Sequence, residues 1–324
     1  LGTSPASLPG IRVDGDTVHD NRTILGLRRK PASILIIGGG YIGVEYANIM
    51  AKHGVEVFLV EMLPRLLPGM DEDFSRIVTR RLKRRGVKVY TETKVEEVTV
   101  GEGGVKARLS GSRVIEAEKV LVAVGRRPNT RDVGLEREGV KLDDKGYIVV
   151  DEEMKTVNPR IYASGDVTGP PLLAHKAFLQ GIVAGTNAAG GSIVYEPRAI
   201  PSVVYTDPEL ASVGMTLEEA RSRGLDAVEK KYPLGGLAMA NILGSTDGFV
   251  KLVIDNDSGS LLGVHIAAPH AGEIIAELAL ALEFGGTVED LALTIHPHPS
   301  ISEAVKEAAE LALGRPIHYL LRRR

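Results

Sequence analysis

The sequence has no cysteine and no tryptophan, and only 4% of its residues are aromatic. Without cysteine, these residues form no disulfide, no thiolate metal site and no thiol nucleophile. Charge of one sign is not in excess, and a net charge of −3 gives no indication of a nucleic-acid partner. No apolar run approaches the roughly 18 residues of a membrane span, and no secretory leader is recognisable. We therefore expect a cytoplasmic protein without a membrane or nucleic-acid partner.

The residues that are present describe a globular protein of more than one domain. Hydrophobic residues make up 44% and charged residues 25% of the 324 residues, which is typical of soluble globular proteins. A chain of this length is expected to form two or three domains. The many arginines and glutamates and the single glutamine favour a thermophilic source. The chain opens with Leu1 rather than Met, which suggests the remainder of a longer polypeptide.

The order of apolar patterns predicts two kinds of domain. From residue 33, the strand patterns "SILII", "VEVFLVE" and "VKVY" alternate with helical patterns, which is typical of an α/β fold with a doubly wound parallel sheet. A return segment follows, with strands "YIVVD" and "RIYASGD" and a helix over about 172–189. From near residue 195, the hairpin "FVKLVIDNDSGSLLGVHIAAP" and two further helices indicate a separate α+β domain. Residues 1–30 show turn residues and no period, so we expect an irregular lead-in there.

A glycine-rich turn follows the first strand of the α/β region. "ILIIGGGYIGVE" places Gly38, Gly40 and Gly43 between a strand and a helix. The first glycine permits the tight turn, the second lets the backbone approach a pyrophosphate, and the third allows close helix–strand packing. Glu61 ends the next strand, at the spacing of an acidic residue that accepts hydrogen bonds from a ribose 2′-hydroxyl. Because a carboxylate repels a 2′-phosphate, NAD(H) is favoured over NADP(H); the plainer alternative for Glu61 is an exposed strand end.

The stretch "TIHPHPSISE" allows three interpretations. A metal site would need His296, His298 and Glu303 to converge, but the two prolines hold the chain extended and point the imidazoles in different directions, so we expect no metal. Ser300 and Glu303 have the spacing of a capping box before an apolar helix. The third interpretation is an acid–base pair, in which a carboxylate fixes the tautomer of an imidazole.

Taken together, the motifs resemble those of the pyridine nucleotide–disulfide oxidoreductases. "IIGGGYIGVE", "EMLPRLLPGMD", "VAVGRRPNT", "TVNPRIYASGDV", "PPLLAHKAFLQG", "IPSVVYTDPELASVGMT" and "HPHPSISE" occur in the family's order and cover residues 31–303. The opening "LGTSPASLP" is similar to the family's ATGSxP-type strand. The resemblance implies FAD/NAD(P)-binding, Rossmann-like doubly wound domains followed by an α+β dimerisation domain. It also implies a flavoprotein in which NAD(H) and a reactive cysteine pair lie on opposite faces of the flavin.

The resemblance implies which residues border the FAD. Asp166 of "SGDV" would hydrogen-bond the ribityl chain, although by itself this residue would be interpreted as a turn or helix cap. Four residues at the start of the following helix would border the flavin ring, where the helix N-terminus favours negative charge on reduced flavin. These four are Leu172, Leu173, Ala174 and His175.

The resemblance implies a second set of residues, of which one covers the flavin and the others belong to the NAD site. Tyr41 would cover the flavin as an aromatic lid, and Glu45 would reach the nicotinamide amide. Val95 and Gly125 match positions that line the NAD site. The remaining members belong to the glycine turn and its acidic partner: Gly38, Gly39, Gly40, Ile42, Gly43 and Glu61.

For the tail, the resemblance favours the acid–base pair. On the family's pattern His298 is the base, Glu303 orients it and His296 is a neighbour. Thiolate, not thiol, attacks a disulfide, so the half-reaction needs a base. In the family this base serves the other subunit of a homodimer formed through the C-terminal domain. We therefore expect a homodimer, to which the apolar face of "AGEIIAELALALEFG" would contribute.

The resemblance also implies an activity: transfer of electrons from dihydrolipoyl groups through a disulfide and FAD to NAD⁺, with a 2-oxo acid dehydrogenase complex as a candidate partner. However, the family's first FAD fingerprint and its CxxxxC redox pair are absent from these residues, so the chain by itself is expected to be inactive. Other activities in the family, those of a mercuric reductase, a transhydrogenase or an NADH oxidase, stay open. A non-catalytic NAD(H)-binding dimeric module is the alternative outside the enzymes.

Four parts of the chain follow from the resemblance. Residues 1–29 would be a remnant of the FAD-binding domain, and residues 30–129 the NAD-binding domain. Residues 130–194 would be the returning part of the FAD-binding domain. Residues 195–324 would form the C-terminal dimerisation domain.

Overall fold

The computed structural model describes residues 1–320. The strands, in chain order, are β1 Thr3–Pro5, β2 Val18–His19, β3 Ser33–Ile37, β4 Glu56–Val60, β5 Lys88–Tyr90, β6 Val95–Gly101, β7 Gly104–Leu109, β8 Val114–Ala117, β9 Lys119–Val122, β10 Arg126–Pro128, β11 Ser202–Val204, β12 Glu209–Gly214, β13 Ala227–Pro233, β14 Phe249–Asp255 and β15 Leu261–Ala268. The α-helices are α1 Tyr41–Lys52, α2 Glu72–Arg84, α3 Ala174–Ala188, α4 Leu217–Ser222, α5 Ala238–Ile242, α6 Ala271–Glu283, α7 Val288–Leu293 and α8 Glu303–Ala312. Within residues 1–320, none of the helices has the length and apolar character that crossing a membrane requires.

A five-stranded parallel sheet forms the α/β region predicted from the sequence. Its strand order is β2-β9-β3-β4-β5, and every neighbouring pair runs in parallel. β3, β4 and β9 are apolar along almost their whole length and are buried, as expected for strands covered on both faces. α2 buries an apolar stripe against this sheet, and its members are Phe74, Ile77, Val78 and Leu82. A three-stranded antiparallel sheet, β6-β7-β8, follows in the chain.

The lead-in expected over residues 1–30 is only partly irregular. Val18 and His19 form β2, which pairs in parallel with β9 at the edge of the five-stranded sheet. A strand of two residues carries no periodic signal, so the sequence pattern could not indicate it. Thr23–Gly26 adds one turn of 3₁₀-helix.

The C-terminal region is the α+β domain predicted from the hairpin. Its antiparallel sheet has the order β11-β12-β15-β14-β13, and β14 with β15 forms the expected hairpin. α6 packs on β12 and β15, while α8 packs on β13 and β14. The apolar faces of sheet and helices share one core, which includes Tyr232, Leu252 and Ala308. This core fixes the start of α8, where the tail histidines are attached.

Two strands predicted over 147–151 and 160–166 do not form. The described chain has only isolated bridges there, between Leu142 and Ile148 and between Lys155 and Tyr162. Aspartate side chains instead stabilise turns immediately before and after residues 147–151. Asp143 accepts from the N–H groups of residues 145 and 147, and Asp151 accepts from those of residues 153 and 155. The helix predicted over about 172–189 is present as α3.

The chain forms two compact units. One comprises residues 1–9 and 124–197, and the other comprises residues 10–123 and the chain from residue 198 onward. The second unit therefore contains both the parallel sheet and the C-terminal α+β region. The division into four domains stays a prediction, and residues 321–324 of its last member lie outside the described range.

Candidate functional site

The glycine turn has the conformation that a phosphate-binding turn requires. Gly38 has a φ of 108°, which favours glycine. A Cβ on Gly43 would lie 1.8 Å from the carbonyl oxygen of Gly38, so helix α1 can approach the turn only without a side chain there. A Cβ on Gly40 would meet nothing within 4 Å, so no protein group explains the absence of a side chain at this position. α1 begins directly after Gly40, which has no side chain with which to cap the helix. These features fit the pyrophosphate of a dinucleotide.

Glu61 is buried against this turn and is not an exposed strand end. Only 6% of the residue is exposed. One carboxylate oxygen accepts from the N–H of Gly39 at 2.6 Å and the other from the N–H of Leu63 at 2.8 Å. Each oxygen has a second lone pair, so the carboxylate can still accept from ribose hydroxyls. Glu61 thus shapes the turn by binding the N–H groups of Gly39 and Leu63.

Tyr41 and Glu45 lie one turn apart on the same face of α1. Tyr41 is 45% exposed, whereas Ile42 is half-buried. The Glu45 carboxylate accepts from the N–H of Tyr205 at 2.8 Å, a contact that the sequence does not indicate. Burial raises the pKa of Glu45, and the N–H of Tyr205 offsets this only in part.

Val95 and Gly125, the other two positions implied for NAD, lie in different units. Val95 is half-buried at the start of β6, opposite Leu109. Gly125 has a φ of 115°, and its carbonyl oxygen accepts from the N–H of Ala6 at 2.9 Å.

Asp166 is held by two residues that the sequence analysis missed. Its Oδ2 accepts from the hydroxyl of Thr3 at 2.6 Å. The guanidinium of Arg126 donates to Thr3 through Nε at 2.7 Å, and its Nε lies 3.8 Å from Asp166 Oδ2. The antiparallel pairing of β1 with β10 brings Thr3 and Arg126 together although they are 123 residues apart. A fixed carboxylate of this kind suits the hydroxyl groups of a ribityl chain.

The start of α3 offers the second feature that fits FAD. Leu173 precedes the first helical residue, and its own side chain makes no cap. Leu172 and Leu173 are half-buried, while Ala174 and His175 are exposed. An uncapped N-terminus of a helix of this length favours the negative charge of a reduced flavin. Asp166 and the start of α3 therefore fit FAD.

His298 and Glu303 form a hydrogen-bonded pair. The Nδ1 of His298 lies 2.8 Å from Oε1 of Glu303, and 71% of the His298 side chain is exposed. The other oxygen of Glu303 accepts from the N–H of Ser300 at 2.8 Å. Burial acts to raise the pKa of Glu303, but the N–H of Ser300 and the imidazole of His298 outweigh it, so the pKa is lowered. The carboxylate is thereby kept ionised beside the imidazole.

The capping box expected from Ser300 and Glu303 forms only in part. α8 begins at Glu303 itself, with Ser302 as the preceding residue and no side-chain cap. The hydroxyl of Ser300 bonds to that of Ser302 at 2.9 Å. Capping and pairing therefore do not compete for Glu303, because its two oxygens serve one contact each.

His296 and His298 diverge, as their flanking prolines predict. The Nε2 of His296 lies 3.0 Å from a carboxylate oxygen of Glu277 on α6, and its side chain is 4% exposed. The two imidazoles thus take different carboxylates, and of the two only His298 faces the surface.

A buried ion cluster was missed by the sequence analysis. Lys251 of β14 is 3% exposed, and its Nζ lies 2.9 Å from Asp71 and 2.6 Å from Asp73. Asp71 also caps α2 by accepting from the N–H of Asp73. Burial acts to lower the pKa of Lys251, but hydrogen bonds to Asp73 and Asp71 outweigh it, so the pKa is raised. The cluster joins the nucleotide-binding region to the C-terminal sheet across 180 residues of sequence.

Comparison with known proteins gives the same family over nearly the whole chain. Residues 1–181 match the family described as pyridine nucleotide-disulphide oxidoreductase, and residues 200–309 match its dimerisation domain. The dihydrolipoyl dehydrogenase of Thermus scotoductus is 43% identical over 99% of this chain and 70% of its own length. That of Geobacillus stearothermophilus is 41% identical over 98% of this chain and 68% of its own length. Among solved structures, LpdA of Mycobacterium tuberculosis is similar with a TM-score of 0.90 and 31% identity, covering 96% of this chain and 68% of LpdA. The chain therefore belongs to the pyridine nucleotide-disulphide oxidoreductase family.

Proposed function

We propose that this chain supplies the NAD site, part of the FAD site and the thiol acid–base of an NAD-dependent dihydrolipoyl dehydrogenase. The proposal rests on the 2.8 Å contact between the exposed imidazole of His298 and the carboxylate of Glu303. The names of the relatives from Thermus scotoductus and Geobacillus stearothermophilus support the substrate. FAD, when bound, passes the two electrons of a dithiol on to NAD⁺.

Proton transfer at His298 follows from its contact with Glu303. With Nδ1 donating to the carboxylate, Nε2 carries the lone pair and accepts a proton from a dihydrolipoyl thiol. The resulting thiolate attacks the redox disulfide, so one S–S bond breaks as another forms. Glu303 stabilises the imidazolium until its proton is released. These 324 residues contain no cysteine, so the cysteines of that disulfide would have to come from other polypeptide.

NAD⁺ is the acceptor that the glycine turn favours. The uncapped start of α1 would hold the pyrophosphate, and Glu61 would accept hydrogen bonds from the adenosine ribose. The buried carboxylate disfavours a 2′-phosphate.

A homodimer is part of the proposal. Four apolar side chains here are 59–92% exposed: Leu280 on α6, Phe284 directly after α6, Leu293 at the end of α7 and Ile295 just beyond it. A second copy covering these side chains would bury apolar surface beside the segment that carries His298. In that arrangement the base would serve a disulfide held by other polypeptide of the partner subunit, because a copy of this sequence contains no cysteine. A 2-oxo acid dehydrogenase complex as supplier of dihydrolipoyl groups and a cytoplasmic location stay predictions.

The test is an activity assay on a fusion protein. The chain is joined behind the segment of the Geobacillus stearothermophilus relative that bears the family's CxxxxC pair. We expect NAD⁺-dependent oxidation of dihydrolipoamide, with slower reactions when Hg²⁺ or O₂ is offered instead. A folded, flavin-loaded fusion that reduces Hg²⁺ or O₂ but does not oxidise dihydrolipoamide would contradict the proposal.

The absence of cysteine favours a second candidate, a non-catalytic NAD(H)-binding dimer. The two candidates differ in what the unfused chain binds. A dimer of this kind would bind NADH and leave FAD unbound in equilibrium dialysis. Stoichiometric FAD retained by the purified chain would exclude it.

A further inference from the structure

A groove with a volume of about 700 Å³ runs along helix α2. Residues of α2 between Glu72 and Arg84 form part of its lining, and Pro64, Arg65 and Thr91, which follow β4 and β5, form the rest. All of these residues lie in the same compact unit. A groove of this size is large enough for a small molecule.

The lining of this groove has an excess of positive charge. It contains five cationic side chains and one carboxylate, that of Glu72. The five are Arg65, Arg76, Arg80, Lys83 and Arg84. The chain as a whole has a net charge of −3, so the excess is local and does not reflect a basic protein.

Three of the cations are partly neutralised by neighbouring carboxylates. Arg76 pairs with Glu72 at 2.7 Å. Arg80 and Arg84 share the carboxylate of Asp247, to which Arg84 approaches within 3.3 Å. One carboxylate between two guanidinium groups leaves positive charge at the groove.

Arg65 and Lys83 carry charge that no carboxylate offsets. Within residues 1–320, neither side chain forms an ion pair or a hydrogen bond. Arg65 is half-buried, whereas Lys83 is exposed. Because a guanidinium that is partly removed from water is unfavourable without a counter-ion, Arg65 favours an anion in the groove.

Two hydroxyl groups at the groove are also available to a ligand. Ser75 and Thr79 lie one turn apart on α2, and Lys83 follows after one more turn. Ser75 lines the groove although it is only 4% exposed, and no group within residues 1–320 hydrogen-bonds its hydroxyl or that of Thr79. Nearly buried polar groups are normally hydrogen-bonded, so a ligand oxygen would supply the partner that the hydroxyl of Ser75 lacks.

We propose that this groove binds a small molecule in which two or more phosphate groups form a chain. Eight residues separate Ser75 from Lys83, which corresponds to about 12 Å along the helix. A single phosphate cannot contact both side chains. A chain of phosphates accepts from Ser75 and Lys83 together, with Arg65 as a further charged donor.

The chemistry of the lining favours phosphates over a peptide or a nucleic acid. The lining offers cationic donors and hydroxyl groups, and its one carboxylate, that of Glu72, is already paired. Phosphate oxygens accept hydrogen bonds, whereas the N–H groups of a peptide would find few acceptors there. Among the described residues that line the groove none is aromatic, so it offers no ring on which a base could stack.

The test is a calorimetric titration of the full chain with inorganic tripolyphosphate. Saturating NADH is present throughout, so that the glycine turn is occupied and does not bind the probe. We expect a Kd on the order of 10 µM, weakened about tenfold in Arg65→Gln and about three- to fivefold in Ser75→Ala. Citrate, which carries carboxylates in place of phosphates, should bind at least about tenfold more weakly because it offers fewer acceptor oxygens.

Two further variants make the test decisive. Arg137→Gln is the matched control, because Arg137 is an exposed cation of the other compact unit and pairs with no carboxylate within residues 1–320. It should leave the Kd within about twofold of the wild-type value. Lys83→Gln, at an exposed position, should weaken binding about tenfold, and it decides if Arg65→Gln or Ser75→Ala does not fold.

Four results would overturn the inference. The first is no binding of tripolyphosphate below about 1 mM. The second is equal weakening in Arg137→Gln and Arg65→Gln, which would show that only overall charge matters. The third is wild-type affinity in both Ser75→Ala and Lys83→Gln, which would place the anion elsewhere. The fourth is tighter binding of a hexaglutamate peptide or a single-stranded oligonucleotide than of tripolyphosphate, which would assign the groove to a macromolecule.

Discussion

The carbonyl oxygen of Gly38 lies where a side chain on Gly43 would begin, with 1.8 Å between that oxygen and an ideal Cβ. Gly43→Ala must therefore push α1 away from β3, and we expect it to lower the free energy of unfolding by several kcal/mol, about 2–4. Gly40→Ala meets no protein atom within 4 Å and should cost less than about 1 kcal/mol. Thermal or urea denaturation of the two variants measures this difference.

The same two variants separate structure from ligand binding. Because a Cβ at residue 40 would point into the space assigned to the pyrophosphate, Gly40→Ala should weaken NADH binding by about tenfold or more while the protein stays folded. Calorimetric titration with NADH is the measurement. A Gly40→Ala protein with wild-type affinity would show that the nucleotide does not approach this turn.

Glu61→Gln tests the choice between NAD(H) and NADP(H). The amide can no longer repel a 2′-phosphate, and it places an N–H group against the N–H of Gly39 or Leu63. We expect NADH to bind about tenfold more weakly and NADPH to bind equally or more tightly. The ratio of the two affinities is the readout, because a general loosening of the turn would weaken both ligands alike. An unchanged ratio would count against the role given to Glu61.

Lys251→Met tests the buried ion cluster. The substitution leaves Asp71 buried without its cation, whereas the half-buried Asp73 keeps Lys231, and we expect a loss of about 3–5 kcal/mol in the free energy of unfolding. Lys88→Met breaks a pair with Glu56 that is about half exposed on both sides, and it should cost less than about 1 kcal/mol. Equal losses in urea denaturation of the two variants would contradict this account.

The cluster also gives a pH dependence with a defined sign. Burial acts to raise the pKa of Asp73, but Lys251 and Lys231 outweigh it, so the pKa is lowered. A lowered pKa stabilises the fold above the unfolded value of about 3.9, and this stabilisation is lost as the pH falls through the folded value. In Lys251→Met, the free energy of unfolding should therefore fall less on acidification than it does in the wild-type protein. A wild-type protein with the same acid-side slope as the variant would contradict the assignment.

Phe284→Glu tests the dimer surface. The side chain is 81% exposed on the chain, so the monomer should tolerate the change, while a dimer would have to bury the new carboxylate. We expect a monomer in analytical ultracentrifugation with NADH affinity preserved. Phe178→Glu, at a side chain that is 71% exposed on α3, is the matched control and should leave the oligomeric state unchanged. A Phe284→Glu protein that stays dimeric would place the interface elsewhere.

The sequence was sufficient where a pattern repeats over several residues. The alternation from β3 to β5 and the β14–β15 hairpin each rest on five or more periodic positions, and both are present. "YIVVD" shows the limit of this reasoning. Its apolar residues have the pattern of a strand, but between the turns held by Asp143 and Asp151 it forms only an isolated bridge.

Contacts between distant residues could not be predicted. Nothing near Asp166 indicates that Thr3 and Arg126 hold it, because that arrangement depends on the β1–β10 pairing. Nothing near Lys251 indicates Asp71. The sequence allowed Glu303 either to cap α8 or to pair with His298. The structure shows that both occur, because one carboxylate oxygen contacts His298 and the other accepts from the N–H of Ser300.

The most direct test of the central claim is the rate of dihydrolipoamide oxidation by the fusion protein with His298→Gln or His296→Gln. Removing the exposed base should lower kcat by about 10²–10⁴-fold, and the loss should be greatest at low pH, where fewer thiolates form unaided. Replacing His296, which is buried against Glu277, should leave kcat within about tenfold. A His298→Gln protein that keeps the wild-type rate and pH profile, with flavin bound, would contradict the claim that this imidazole takes the thiol proton.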